Sequence, residues 1–137
     1  MNPHISVLTL GVDSLEKAVA FYRDGLGLLT DGIIGQEYEY GAVAFFRLQE
    51  GLQLALWPKA SISWDTGLPP APNSPGSFTI GHNVNSPEEV DSLMNKAAQA
   101  GAVIVKRQQD TFYGGYPGYF QDIDGHLWEV VYNPGFV

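Results

Sequence analysis

Apolar residues along this chain follow two alternating rhythms. Short runs with strand character, such as "VLTLGV" (7–12), give way to stretches with helical spacing. Leu15, Ala18, Val19, Tyr22 and Leu26 recur at i, i+3, i+4, i+7 and i+11, which predicts a helix near 14–26 with one apolar stripe. Val90, Leu93, Met94, Ala97 and Gly101 repeat that spacing and predict a second helix near 86–101. The match extends upstream. Residues 7–22 align with 79–94 at a constant offset of 72, so that Val7 falls on Thr79 and Val12 on Val84. Both segments carry a helix-start signature: Asp13 with Glu16 three residues on, and Ser86 with Glu89, followed in the second case by Pro87 in the first turn.

The strands after each helix also repeat. "AVAFFRLQEGLQLALWP" (42–58) aligns with "GYFQDIDGHLWEVVYNP" (118–134) at an offset of 74, with Gly51 on Gly125 and Phe46 on Phe120. Each reads as a β-hairpin with glycine in the turn. The chain is therefore expected to be α+β, one domain over 1–137 built from two tandem strand–helix–strand–strand–strand modules, about 4–57 and 77–134. Five prolines between 58 and 77 predict a linker or flap there, with neither central strand nor helix.

The 137 residues suffice for one compact domain, and 45% hydrophobic content supports a core. No apolar run is long enough to span a membrane, and the first residues lack a basic segment, so a cytoplasmic location is expected. Cysteine is absent, which removes disulfides and thiolate metal ligands. The net charge is −8, and the seven Lys and Arg residues form no cluster, so neither nucleic acid nor an anionic membrane surface is the expected partner. A small-molecule ligand is.

The segments "LGVDSLEKAVAFYRDGLGL", "GHNVNSPEEVD" and "GYFQDIDGHLWEVVYNP", taken with the repeat, resemble the vicinal oxygen chelate superfamily of glyoxalases, bleomycin resistance proteins and extradiol dioxygenases. The resemblance implies paired βαβββ modules whose mixed sheets form a cup-shaped ligand cavity, and a homodimer. It also implies four positions where metal-dependent members place His or Glu ligands. Here these hold Val7, Ala55, Thr79 and Glu129. Only Glu129 is a usual ligand, so no metal and no other cofactor is expected.

Glu129 remains to be explained, a carboxylate in the apolar strand "LWEVV". By strand parity it shares a face with Leu127 and Val131, and His82, His126 and His4 fall on the opposite parity to their neighbouring ligand positions. Glu129 is the candidate catalytic residue, as a general acid or base, or else the polar anchor of an apolar site, hydrogen-bonded to Thr79 or Gln121. Thr9, Arg47, Trp57, Thr79, Tyr113, Tyr116 and Gln121 are the candidate ligand-binding residues. Tyr113 and Tyr116 belong to the aromatic loop around Gly114-Gly115, and Arg47 suits an anionic substrate or an acidic partner. Three functions follow: a metal-free lyase or isomerase, a protein that sequesters a drug or metabolite, and, third, a metal-dependent lyase or dioxygenase.

Overall fold

The computed structural model describes residues 1–70, 72 and 77–135. The chain divides into two compact units, Met1–Pro72 and Asn73–Val137. In the first, strand β1 (Val7–Val12) leads into helix α1 (Leu15–Val19), which continues as a π-helical stretch over Ala20–Gly25. Strands β2 (Thr30–Ile34), β3 (Val43–Arg47) and β4 (Gln53–Pro58) follow, then helix α2 (Lys59–Thr66). The second unit comprises β5 (Ile80–Val84), α3 (Pro87–Gln99), β6 (Val103–Lys106), β7 (Tyr116–Gln121) and β8 (Leu127–Tyr132).

Each unit holds one four-stranded mixed sheet, in the order β1-β4-β3-β2 and β5-β8-β7-β6. The first and last strands of each βαβββ unit pair in parallel, and the remaining neighbours are antiparallel. This is the tandem α+β plan read from the repeat, and it is kept to the residue. Ala55 lies between Thr9 and Phe45, and Glu129 lies between Gly81 and Tyr119, at the same 72- and 74-residue offsets.

One face of each sheet is covered by its helix. In the first unit Leu15, Ala18, Val19, Phe21 and Tyr22 are buried along with Ala44, Phe46, Leu54 and Leu56 of the sheet. In the second, Val90, Met94 and Ala97 of α3 are buried along with Phe120, Trp128 and Val130. The rings of Phe120 and Trp128 stack at 6.2 Å. Such burial stabilises by roughly 1.5–3 kcal/mol for each large side chain, before its ordering entropy is counted.

Three details differ from the sequence reading. The cap of α1 is Ser14, whose hydroxyl accepts the Lys17 N–H at 3.3 Å; Asp13, one residue earlier, instead faces Lys59 at 3.5 Å. The first helix is α-helical only to Val19. Beyond it the bonds widen, with Leu26 N–H donating to Phe21 O, so that the adjacent rings of Phe21 and Tyr22 are both buried in an edge-on pair at 4.9 Å. The segment 58–77 contains a helix after all. Pro58 only precedes α2, the other prolines lie beyond residue 68, and Gly67, at φ +77°, closes the helix by donating to Ser63 O. Residues 71 and 73–76 of that segment lie outside the described residues.

The β7–β8 turn is organised by a buried carboxylate. Asp122 Oδ1 accepts the N–H groups of Asp124 and His126, each at 2.9 Å, and Gly125 turns the chain at φ +88°. Asp122→Ala removes one acceptor from two backbone donors and should destabilise the protein by about 2 kcal/mol or more. Ser86→Ala removes the acceptor of the Glu89 N–H and should cost about 1 kcal/mol. Urea unfolding of the two variants checks both values and their order; an unchanged midpoint for Asp122→Ala would contradict this account of the turn.

Candidate functional site

Alternation along the strands gives each sheet a second face, opposite α1 in the first unit and opposite α3 in the second. In the first unit α2 lies against one end of that face, where a Cβ on Gly11 would meet the side chains of Lys59 and Ile62 at 3.1 and 3.3 Å. Trp128 and Val130 point toward α3, so Leu127, Glu129 and Val131 of β8 project the other way. On β7, Phe120 faces the helix, and Tyr119 and Gln121 share the open face with Glu129. Tyr119 lies directly opposite Glu129 and donates its phenol hydrogen to Glu129 Oε2 at 2.9 Å. Across the strand on the other side stands Gly81, where an added Cβ would lie 4.0 Å from Glu129 Oε1. Glu129 is thus half-buried, anchored through one oxygen, with a bare backbone beside the other.

The hydrogen bond to the carboxylate is the main cause that holds the Tyr119 phenol above its ordinary pKa; partial burial and the nearby charge of Glu129 act in the same direction. At neutral pH Tyr119 is therefore the donor of the pair. Glu129 has this partner in place of Thr79 or Gln121. Thr79 is exposed just before β5, and Gln121 lies opposite Leu127.

The equivalent positions of the first unit are chemically different. Phe45 stands where Tyr119 does, Ala55 where Glu129 does and Thr9 where Gly81 does. With Tyr40, Gly41, Val43 and Trp57 they surround a cavity of about 270 Å³. The structure thus brings Thr9 and Trp57 together in one apolar site. Arg47 is on the same sheet face but lines a separate surface depression with Ser6, Gln49 and Gln53, and its guanidinium lies 3.5 Å from Asp31.

In the aromatic loop, Tyr113 is 47% exposed and packs edge-on against Phe112. Tyr116 departs from its expected place. Three residues from Tyr119, it takes the opposite parity, and its hydroxyl donates to Asp91 of α3 at 2.8 Å beside Gln108. Tyr119 itself was missed as an individual site residue. The signal was present in the hairpin: a turn centred on 122–126 sets residues 119 and 129 opposite each other.

Of the four family positions, Val7 and Ala55 offer no donor atom, Thr79 offers a hydroxyl, and Glu129 is engaged by a phenol. Among the described residues no three His, Asp or Glu side chains converge. These residues do not fit a divalent ion, which needs at least three suitable protein ligands.

The family model for the Glyoxalase/Bleomycin resistance protein/Dioxygenase superfamily matches residues 4–130. The chain belongs to that superfamily. A glyoxalase-related enzyme from Fulvimarina pelagi is 31% identical, with 96% of this chain and 89% of that one covered and a TM-score of 0.82. A lactoylglutathione lyase from Agrobacterium tumefaciens is 24% identical over the full length of both chains, with a TM-score of 0.70. An antibiotic binding protein from a Streptomyces species is 19% identical over 95% of each chain, with a TM-score of 0.66. These last two likenesses concern the fold alone. No curated protein matches the chain significantly. No described helix is long and apolar enough to cross a membrane.

The phenol–carboxylate pair predicts a titration. Because the folded-state pKa of Tyr119 is raised, the unfolded chain loses this proton first, and the pair's contribution to stability falls as pH rises through the alkaline range above about 10. NMR of ring-labelled tyrosine should find Tyr119 titrating above the exposed tyrosines, and Glu129→Gln should bring it back toward them. A Tyr119 that titrates with the exposed residues in both proteins would remove the pair.

Proposed function

We propose that this superfamily member binds a small molecule against the open face of its second sheet, with Glu129 as the polar anchor and Tyr119 as the residue that positions it. The observation that carries this reading is the Tyr119–Glu129 hydrogen bond at 2.9 Å on the face of the second sheet that points away from α3. A structural carboxylate has little reason to stand in an apolar strand beside an unsubstituted glycine. One that receives a ligand gains from both: the phenol fixes Oε2, and Gly81 leaves approach to Oε1.

Two chemistries suit the pair. As an anchor, Oε1 accepts a hydrogen bond from an N–H or O–H of the ligand. As a general base, the same oxygen takes a proton from a carbon or oxygen acid, while Tyr119 keeps the carboxylate oriented and stabilises its charge. The second is a lyase or isomerase-like step that asks nothing of a metal, consistent with the donor set of this chain. A sequestering role is the alternative. The apolar, aromatic cavity of the first unit favours it, because such a surface holds a ligand without offering an acid or base.

Glu129→Gln and Tyr119→Phe separate these readings. Both should keep the fold. If Glu129 is an anchor only, Glu129→Gln weakens ligand affinity about ten- to a hundredfold, the value of roughly 1.5–3 kcal/mol for a charge-assisted bond. If it is the base, turnover falls about 10²–10⁴-fold, more than affinity does. Tyr119→Phe should weaken either property less than Glu129→Gln, because it removes the support and leaves the charge. A thermal-shift screen of small metabolites supplies the ligand, and titration calorimetry with a turnover assay supplies the numbers. Affinity and turnover unchanged in both variants would mean that the pair only braces the sheet.

A further inference from the structure

We propose that the cavity on the open face of the first sheet is a binding site for the alkylammonium head of a small cation. This inference goes beyond the reading of Glu129 and rests on the first unit alone. Three aromatic side chains, Tyr40, Phe45 and Trp57, wall a space of about 270 Å³, and Val43 and Ala55 complete its apolar surface. Thr9 adds a hydroxyl to the polar groups of Tyr40 and Trp57, and none of the lining residues is charged. A substituted ammonium ion carries its charge on a greasy surface and needs few or no hydrogen-bond acceptors. Aromatic faces attract it through their quadrupoles, without the desolvation that a buried carboxylate would incur.

The wall nearest the β2–β3 connection is held in place at a cost. Tyr40 sits at φ +58°, the left-handed region that residues with a side chain rarely adopt. Three contacts keep it there. The Trp57 indole N–H donates to Tyr40 O at 3.2 Å, and the Tyr40 ring stacks on Trp64 of α2 at 4.9 Å. Gly35 and Gly41 close the turn so tightly that a Cβ on either would collide with the backbone of the other. A strained residue fixed from three sides, with its ring in a cavity wall, is preorganised for something to bind against it.

The electrostatic setting selects the sign of the charge. Glu37 and Glu39 precede Tyr40 in the same turn, both exposed. Three basic groups of this unit stand beside acidic ones: Arg23 lies 2.9 Å from Asp24, and Arg47 and Lys59 lie 3.5 Å from Asp31 and Asp13. The whole chain carries a net charge of −8, which raises the local concentration of cations over neutral or anionic ligands.

Choline and its uncharged carbon isostere dimethylbutanol test the proposal, with tryptophan fluorescence and titration calorimetry as readouts on the full chain. Choline should bind saturably, and the isostere about tenfold more weakly or not at all. Phe45→Leu keeps an apolar side chain at a site already 37% exposed and should weaken choline binding about tenfold. Tyr40→Gly removes the ring while suiting the backbone and should do the same. Equal affinity for the isostere, no saturable binding of choline, or full binding in both ring-deleted variants would overturn the assignment.

Discussion

The alternation of side chains across β8 is the constraint on which the candidate site depends. Trp128 and Val130 must be covered by α3, because exposing them would forfeit several kcal/mol of apolar burial. Once they are covered, Glu129 has nowhere to go but the open face. A slip of one residue would drive the carboxylate under the helix and take Trp128 and Val130 out from beneath it. The same logic on β7 turns Phe120 inward and Tyr119 outward, so the register that buries the core is also what assembles the phenol–carboxylate pair. Asp122 in the turn and Gly125 at positive φ keep that register from drifting.

The two units apply one backbone plan to different chemistry. The trio Thr9, Ala55 and Phe45 corresponds to Gly81, Glu129 and Tyr119, strand for strand. In the first unit the small alanine and the aromatic neighbours leave an apolar hollow. In the second, a charge and a hydroxyl replace them, and the neighbouring strand gives up its side chain. A duplicated scaffold permits this because the helix-covered faces, which supply the stability, are independent of what the open faces display. The superfamily's fold is therefore compatible with a site in which the usual metal donors have been replaced by residues of another kind.

Much of this was legible in the chain. Periodicity located the helices, and the repeat gave the strand plan and the pairing of positions between units. Glu129 was conspicuous as a charge in "LWEVV". What the sequence hid were features decided by registration and by contacts between distant segments. Tyr119 is one tyrosine among several in its stretch of sequence, and only the hairpin register sets it opposite Glu129. Tyr116, in the same aromatic cluster, turned out to serve Asp91 on the helix side. The turn bearing Tyr40 carries no motif of its own; its role follows from Trp57 and Trp64, seventeen and twenty-four residues away in sequence. The prolines of residues 58–77 admit α2 because Pro58 only caps it and the others lie beyond residue 68, so their positions matter and their number does not.

The central claim is that the open face of the second sheet receives a small molecule at Glu129. Amide NMR shift mapping with a ligand found by screening tests it most directly. The account predicts shifts centred on Tyr119, Glu129 and Gly81 and their strand neighbours, with the α3 residues Val90 and Met94 undisturbed. A saturable ligand whose shifts cluster instead around Asp91 and Tyr116 on the helix side, leaving Glu129 untouched, would contradict it.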